Sequence, residues 1–133
     1  MNVTPHVSDY MDKSFITISP DMDIYEAIDT LLKKKITSAA VVDEKEKLIG
    51  ILAEKDCLKV LAQAETKKLV EGKVGDFMTR DVVTINPNLD VFSVASLFLK
   101  QYFRRFLVVK EGKLVGQITR RDLLKAIRTI KLS

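Results

Sequence analysis

Apolar positions along this chain change period in a fixed order, and that order occurs twice. Phe15-Ile16-Thr17-Ile18 and Val82-Val83-Thr84-Ile85 are short β-branched runs stopped by Pro20 and Pro87, which predicts strands. Spacings of three and four follow. Ile24, Ala27, Ile28, Leu31 and Leu32 fall on one helical face, as do Val91, Val94, Ala95, Phe98 and Leu99. Asp23 and Asp90 stand where an N-cap belongs, and Glu26 adds a carboxylate to the first turn of its helix. Residues 39–42, a polar turn and residues 48–52 predict a hairpin. Residues 106–109, Glu111-Gly112 and residues 114–118 predict its twin. A second helix closes each copy, over 54–70 and over 120–130. Its stretch 61–70, rich in Lys, Glu, Gln and Ala, reads as a partly exposed bridge.

The two copies also match residue by residue. Val7-Ser8-Asp9-Tyr10-Met11 parallels Val74-Gly75-Asp76-Phe77-Met78, 67 residues on, and Thr17-Ile18-Ser19-Pro20 parallels Thr84-Ile85-Asn86-Pro87. Val41-Val42 meets Val108-Val109. After one extra residue in the first turn, Lys47-Leu48-Ile49-Gly50 meets Lys113-Leu114-Val115-Gly116, and Asp56-Cys57-Leu58-Lys59 meets Asp122-Leu123-Leu124-Lys125. The predicted order is β-α-β-β-α, twice, over repeats 7–70 and 74–130 joined by Glu71-Gly72-Lys73. A three-stranded sheet with two short helices buries little alone. The expectation is therefore a mixed α+β fold, one module over residues 1–133, with the repeats packed about a pseudo-twofold axis.

Composition narrows the class without redirecting it. Of 133 residues, 47% are apolar and 30% charged, ordinary for a soluble globular protein. No apolar run approaches the roughly 20 residues of a membrane span, and the first ten residues lack the apolar core of a signal peptide. The single cysteine, Cys57, cannot form an internal disulfide and fits a reducing compartment, so a cytoplasmic protein is expected. The formal charge of +4 is spread along the chain. Its densest run, Lys33-Lys34-Lys35, suits a solvated helix C-terminus, and no nucleic-acid-binding motif accompanies it. His6 is the only histidine and remote in sequence from Cys57, which reads as a small residue buried in a helix. Zinc spacing and a phosphate-binding G-x-x-x-x-G-K-[ST] loop are both missing. The reading is not an enzyme, with no cofactor or metal required.

One stretch carries candidate chemistry. In Gly116-Gln117-Ile118-Thr119-Arg120-Arg121-Asp122 an apolar strand turns directly into a helix, with a hydroxyl at the turn and a carboxylate three residues later. Its copy, Gly50-Ile51-Leu52-Ala53-Glu54-Lys55-Asp56, keeps the glycine and the aspartate but has alanine for the hydroxyl. Thr119-x-x-Asp122 is also a capping-box-like helix start. Alanine is a poor N-cap, so its presence in the first copy argues that folding tolerates loss of the hydroxyl.

This ordered set, occurring twice, resembles the tandem CBS-domain pair, or Bateman module, over nearly the whole chain. The resemblance implies a flat pair of repeats, often dimerising, whose clefts bind AMP, ADP or ATP and in some members S-adenosylmethionine or NAD. It implies regulation of a partner, with no chemistry of its own. The chain carries no attached effector domain, so an effector protein yet to be identified, or a free-standing sensor role, is implied. Each cleft is implied to be built crosswise. One would use Ile118, Thr119, Arg120, Arg121 and Asp122 with Phe15, Ile16, Thr37, Ser38 and Ala39. The other would use Asp56 with Val82, Val83, Arg104, Arg105 and Phe106. The carboxylates would accept from ribose hydroxyls. Thr119 and the helix-start amides would take phosphate oxygens, with arginines neutralising their charge. Phe15-Ile16 and Val82-Val83 would offer apolar walls and backbone groups to the adenine. The sequence departs from the family pattern at Ala53, at Ala40 and Leu107 (where a proline is usual), and at Thr37-Ser38, which supply no cation. The expectation is a filled Thr119/Asp122 cleft and a weaker or specialised second one. The alternative reading is a ligand-free dimerisation or interaction module.

Overall fold

Both predicted hairpins form, and each gains a short parallel strand to make a three-stranded sheet. In the computed structural model, which describes residues 4–67 and 69–130, the order is α1 (Val7–Tyr10), β1 (Thr17–Ile18), α2 (Ile24–Lys34), β2 (Ser38–Val42), β3 (Leu48–Ala53), α3 (Glu54–Ala64), then α4 (Val74–Phe77), β4 (Thr84–Ile85), α5 (Val91–Lys100), β5 (Arg105–Lys110), β6 (Lys113–Thr119) and α6 (Arg120–Ile130). The sheets run β1-β2-β3 and β4-β5-β6, with the first pair parallel and the second antiparallel in each. The fold is mixed α+β.

Turn chemistry accounts for the single-residue difference between the hairpins. Glu111 and Gly112 both have positive φ, 53° and 81°, as a two-residue type I′ turn requires. The longer first turn is organised by Asp43, whose Oδ1 accepts from the amides of Lys45 and Lys47 at 2.8 and 3.0 Å. The expected caps form as well. Asp23 accepts from the amides of Tyr25 and Glu26, and Asp90 from the amide and hydroxyl of Ser93. Those bonds to Ser93 hold the Asp90 carboxyl below its ordinary pKa. At the other end of α2, Lys35 adopts the left-handed conformation and its amide closes on Leu31 and Leu32.

Three expectations need correction. The strands predicted over 15–18 and 82–85 pair only at Thr17–Ile18 and Thr84–Ile85. The helix predicted over 54–70 stops at Ala64, because Gln63 to Lys67 holds no large apolar side chain to anchor another turn. The stretch 61–70 is partly exposed, as expected, with Leu61 and Leu69 at the surface. Val70 is buried and its carbonyl accepts from the Tyr25 hydroxyl at 2.7 Å; Lys68 of that stretch lies outside the described residues. Finally, the segments leading into each repeat contain one-turn helices, α1 and α4, too short for periodicity to reveal.

Those lead-in segments decide how the chain divides. It forms two compact units: Ile16–Val82, and residues 4–15 together with 83–130. Each lead-in thus joins the sheet of the other repeat. In the first unit Val74, Phe77 and Met78 pack with Ile18, Ile24, Leu31, Val41 and Leu52. In the second, Val7 packs with Ile85, Val94, Phe106, Val108 and Ile118. The backbone is tied down too. Ile51 and Thr79 exchange both amide bonds at 2.9 Å, and Asp12 and Gln117 do so at 2.7 and 2.9 Å. The first amides of α2 and α5, which have no partner within the helix, donate to Gly72 and Pro5 of the lead-ins at 3.0 and 3.1 Å. These contacts explain the two glycines of the candidate stretches. A Cβ on Gly50 would lie 2.8 Å from the Thr79 carbonyl oxygen, and one on Gly116 2.6 Å from the Met11 sulfur.

Candidate ligand site

The strand-to-helix turn of the second unit brings Thr119 and Asp122 together as the spacing requires. Asp122 Oδ2 accepts from the Thr119 amide at 2.8 Å and the Thr119 hydroxyl at 3.0 Å. The Asp122 amide returns toward the hydroxyl at 3.4 Å. That is a reciprocal helix cap. Asp122 Oδ1 has no protein donor among the described residues, and the carboxylate is half-buried rather than sealed. Arg120 and Arg121, at the same helix start, are exposed.

Antiparallel register sets Arg105 directly opposite Thr119, so the two side chains share a sheet face. Arg105 Nη1 donates to Gln117 Oε1 at 3.1 Å. Burial, and then the charge of Arg104, pull the Arg105 guanidinium below its ordinary pKa. Arg104 is exposed. Phe106 and Ile118 point to the opposite face and are sealed in the core, with Phe106 edge-on to Phe98 at 4.7 Å and to Phe103 at 5.3 Å. Both of these expected cleft residues thus bury their side chains in the core of the second unit. Ala39 is likewise a core residue. Phe15, Ile16, Thr37, Ser38 and Val82 are half-buried and Val83 is exposed. A cavity of about 470 Å³ between α5 and α6 includes Phe98, Leu99, Tyr102, Arg120 and Leu123 in its lining. Of the residues expected to bind ligand it takes only Arg120.

The first-repeat counterpart is built differently. Asp56 is 4% exposed. Its Oδ2 accepts from the Ala53 amide at 2.8 Å, and its Oδ1 from the Thr79 hydroxyl at 2.8 Å and Lys59 Nζ at 3.0 Å. Lys59 also donates to the Phe77 carbonyl at 2.9 Å. The adjacent Glu54 amide, at the start of α3, bonds the Thr37 carbonyl at 3.0 Å. Sequence reasoning missed Thr79 and Lys59. A signal existed for the first, because Thr79 stands where the other repeat has Asp12. For the second there was none, since Lys125 matches Lys59. Cys57 is half-buried against the core rather than fully enclosed. Burial first, then Asp56 and Glu54, push its thiol pKa up. Among the described residues no group of three or more His, Cys, Asp or Glu is placed to hold a metal, and no helix is long and apolar enough to cross a membrane.

Two matching sheets, each followed by a helix that starts at a carboxylate-bearing turn, define a tandem-repeat α+β protein. The chain belongs to the CBS-domain family, whose sequence profile matches residues 7–63 and 74–129. It is 36% identical over 122 residues to the uncharacterized protein MJ1225 of Methanocaldococcus jannaschii, covering 91% of this chain but only 42% of that one. Among solved structures it is similar to CBSX2 of Arabidopsis thaliana in complex with AMP, with a TM-score of 0.81, 29% identity, and coverage of 96% of this chain and 99% of that one. It is also similar to the CBS domain pair of MJ0100 in complex with 5′-methylthioadenosine and S-adenosyl-L-methionine. There the TM-score is 0.74 and the identity 29%, covering 96% and 99% of the two chains.

Proposed function

We propose that this CBS pair is a regulatory sensor that binds an adenine nucleotide of the AMP, ADP or ATP type through Thr119 and Asp122. The observation that carries the reading is the open Asp122 Oδ1 beside a helix start bearing a hydroxyl and two exposed arginines. A carboxylate oxygen with open lone pairs accepts from vicinal ribose hydroxyls. The helix start, with Arg120 and Arg121, favours phosphate. AMP on CBSX2, and the adenosyl ligands on MJ0100, support the ligand class. Regulation follows if the ligand prefers one arrangement of the module and an effector protein reads the difference.

Titration calorimetry with AMP and ATP tests the reading. Asp122→Asn should weaken binding about ten- to a hundredfold, the worth of a hydrogen bond to a charged group. Thr119→Ala should weaken binding and also lower stability by about 0.5–2 kcal/mol through the lost cap. Unchanged affinity in both variants would remove these residues from the site. If AMP, ADP and ATP all leave the melting temperature unmoved, the interaction-module reading takes over. That alternative has its own support: Leu99, Tyr102, Leu124 and Ile127 of the α5–α6 region are exposed. They suit the homodimer that the CBS resemblance implies. Sedimentation of the chain should then give a dimer that Leu124→Glu dissociates.

A further inference from the structure

We infer that Thr79 and Lys59 close the Asp56 carboxylate to ribose, so that the chain has a single nucleotide site, at Asp122. The inference rests on the proposed function and specifies its stoichiometry. A carboxylate offers about four acceptor positions. At Asp56 three are taken, by the Ala53 amide, the Thr79 hydroxyl and the Lys59 ammonium, and the residue is 4% exposed. A ribose diol needs two acceptor positions that face solvent, and Asp56 has at most one left. At Asp122 both bonds fall on Oδ2, from the Thr119 amide and hydroxyl, leaving Oδ1 whole.

The difference traces to one position of the lead-in segments. Thr79 is a donor aimed at Asp56. Its counterpart Asp12 is an acceptor that takes the Ser14 amide at 2.8 Å and has nothing to give Asp122. Lys59 completes the closure by bridging Asp56 to the Phe77 carbonyl, whereas Lys125, at the matching place, forms no ion pair among the described residues. In the first repeat the aspartate has become a staple for the lead-in segment. Only the second repeat keeps it for a ligand.

AMP binding to the full chain, measured by calorimetry, tests this in both directions. The unaltered protein should bind one AMP per chain. The double variant Thr79→Val/Lys59→Met should bind two, and retention of the first site shows that it is folded. Conversely Asp12→Thr, which supplies the missing hydroxyl beside Asp122, should weaken AMP at least about tenfold, the effect of one competing hydrogen bond to a carboxylate. This variant keeps the falsification available if the double variant does not fold. Two AMP per unaltered chain, or unchanged AMP affinity in Asp12→Thr, overturns the closure while leaving the sensor reading intact. A double variant that folds and still binds one AMP does the same. No AMP binding at all to the unaltered chain removes both.

Discussion

Phe77→Ala should cost about 3–5 kcal/mol in urea unfolding, the usual effect of emptying a buried phenylalanine position. Against the roughly 5–15 kcal/mol that holds a domain folded, this is a large single-site loss. Phe77 lies in α4, at the head of the second repeat, yet it is 2% exposed within the core of the first. Its ring sits so close to Gly72 that a Cβ there would lie 2.6 Å from the ring edge, so the surroundings leave little room to collapse differently. Tyr102→Ala, at a fully exposed aromatic, should change stability by less than about 0.5 kcal/mol. A Phe77→Ala cost below about 1 kcal/mol would mean that the lead-in does not close that core.

Gly50→Ala should cost about 1–3 kcal/mol, an overpacking penalty rather than a conformational one. The added methyl would press on the Thr79 carbonyl oxygen at 2.8 Å, and that oxygen is already committed to the Ile51 amide. A backbone oxygen cannot step aside without breaking the bridge. At Gly116 the nearest atom is the Met11 sulfur, on a flexible side chain, while the Asp12 carbonyl stands off at 3.2 Å. Gly116→Ala should therefore be the milder of the pair. Paired melts decide it: equal costs, or a neutral Gly50→Ala, would break the account.

These two cases show what the sequence made legible. Period and turn chemistry located both hairpins and both sheet-covering helices, and the capping aspartates Asp23 and Asp90 stood where expected. The glycines of the candidate stretches were visible, but not their reason, because that reason is a lead-in distant in the chain. Hydrophobicity at Val7 or Phe77 states that the side chain is buried, not beneath which sheet. At the candidate site, Thr119 and Asp122 were legible since both partners lie within one turn of helix. The sealing of Asp56 was not, as it depends on a threonine 23 residues away and on how a long lysine folds back. That the side chains of Phe106 and Ile118 face the core was hidden for a related reason. Strand alternation leaves two faces, and only the register with Thr119 shows which one they take.

The exchange of lead-in segments also fixes an order of assembly during synthesis. The unit Ile16–Val82 is contiguous, so it holds every residue of its own core once Val82 has left the ribosome. Val7 is made earlier but belongs to a core that includes Ile118 and Leu123. Its core is complete only after Ile118 and Leu123 have been made. The unit Ile16–Val82 can then mature while residues 83–130 are still being translated, with the lead-in of residues 4–15 held in reserve. The unit that carries the proposed sensor residues is thus the last to close, and its closure joins the two ends of the described chain.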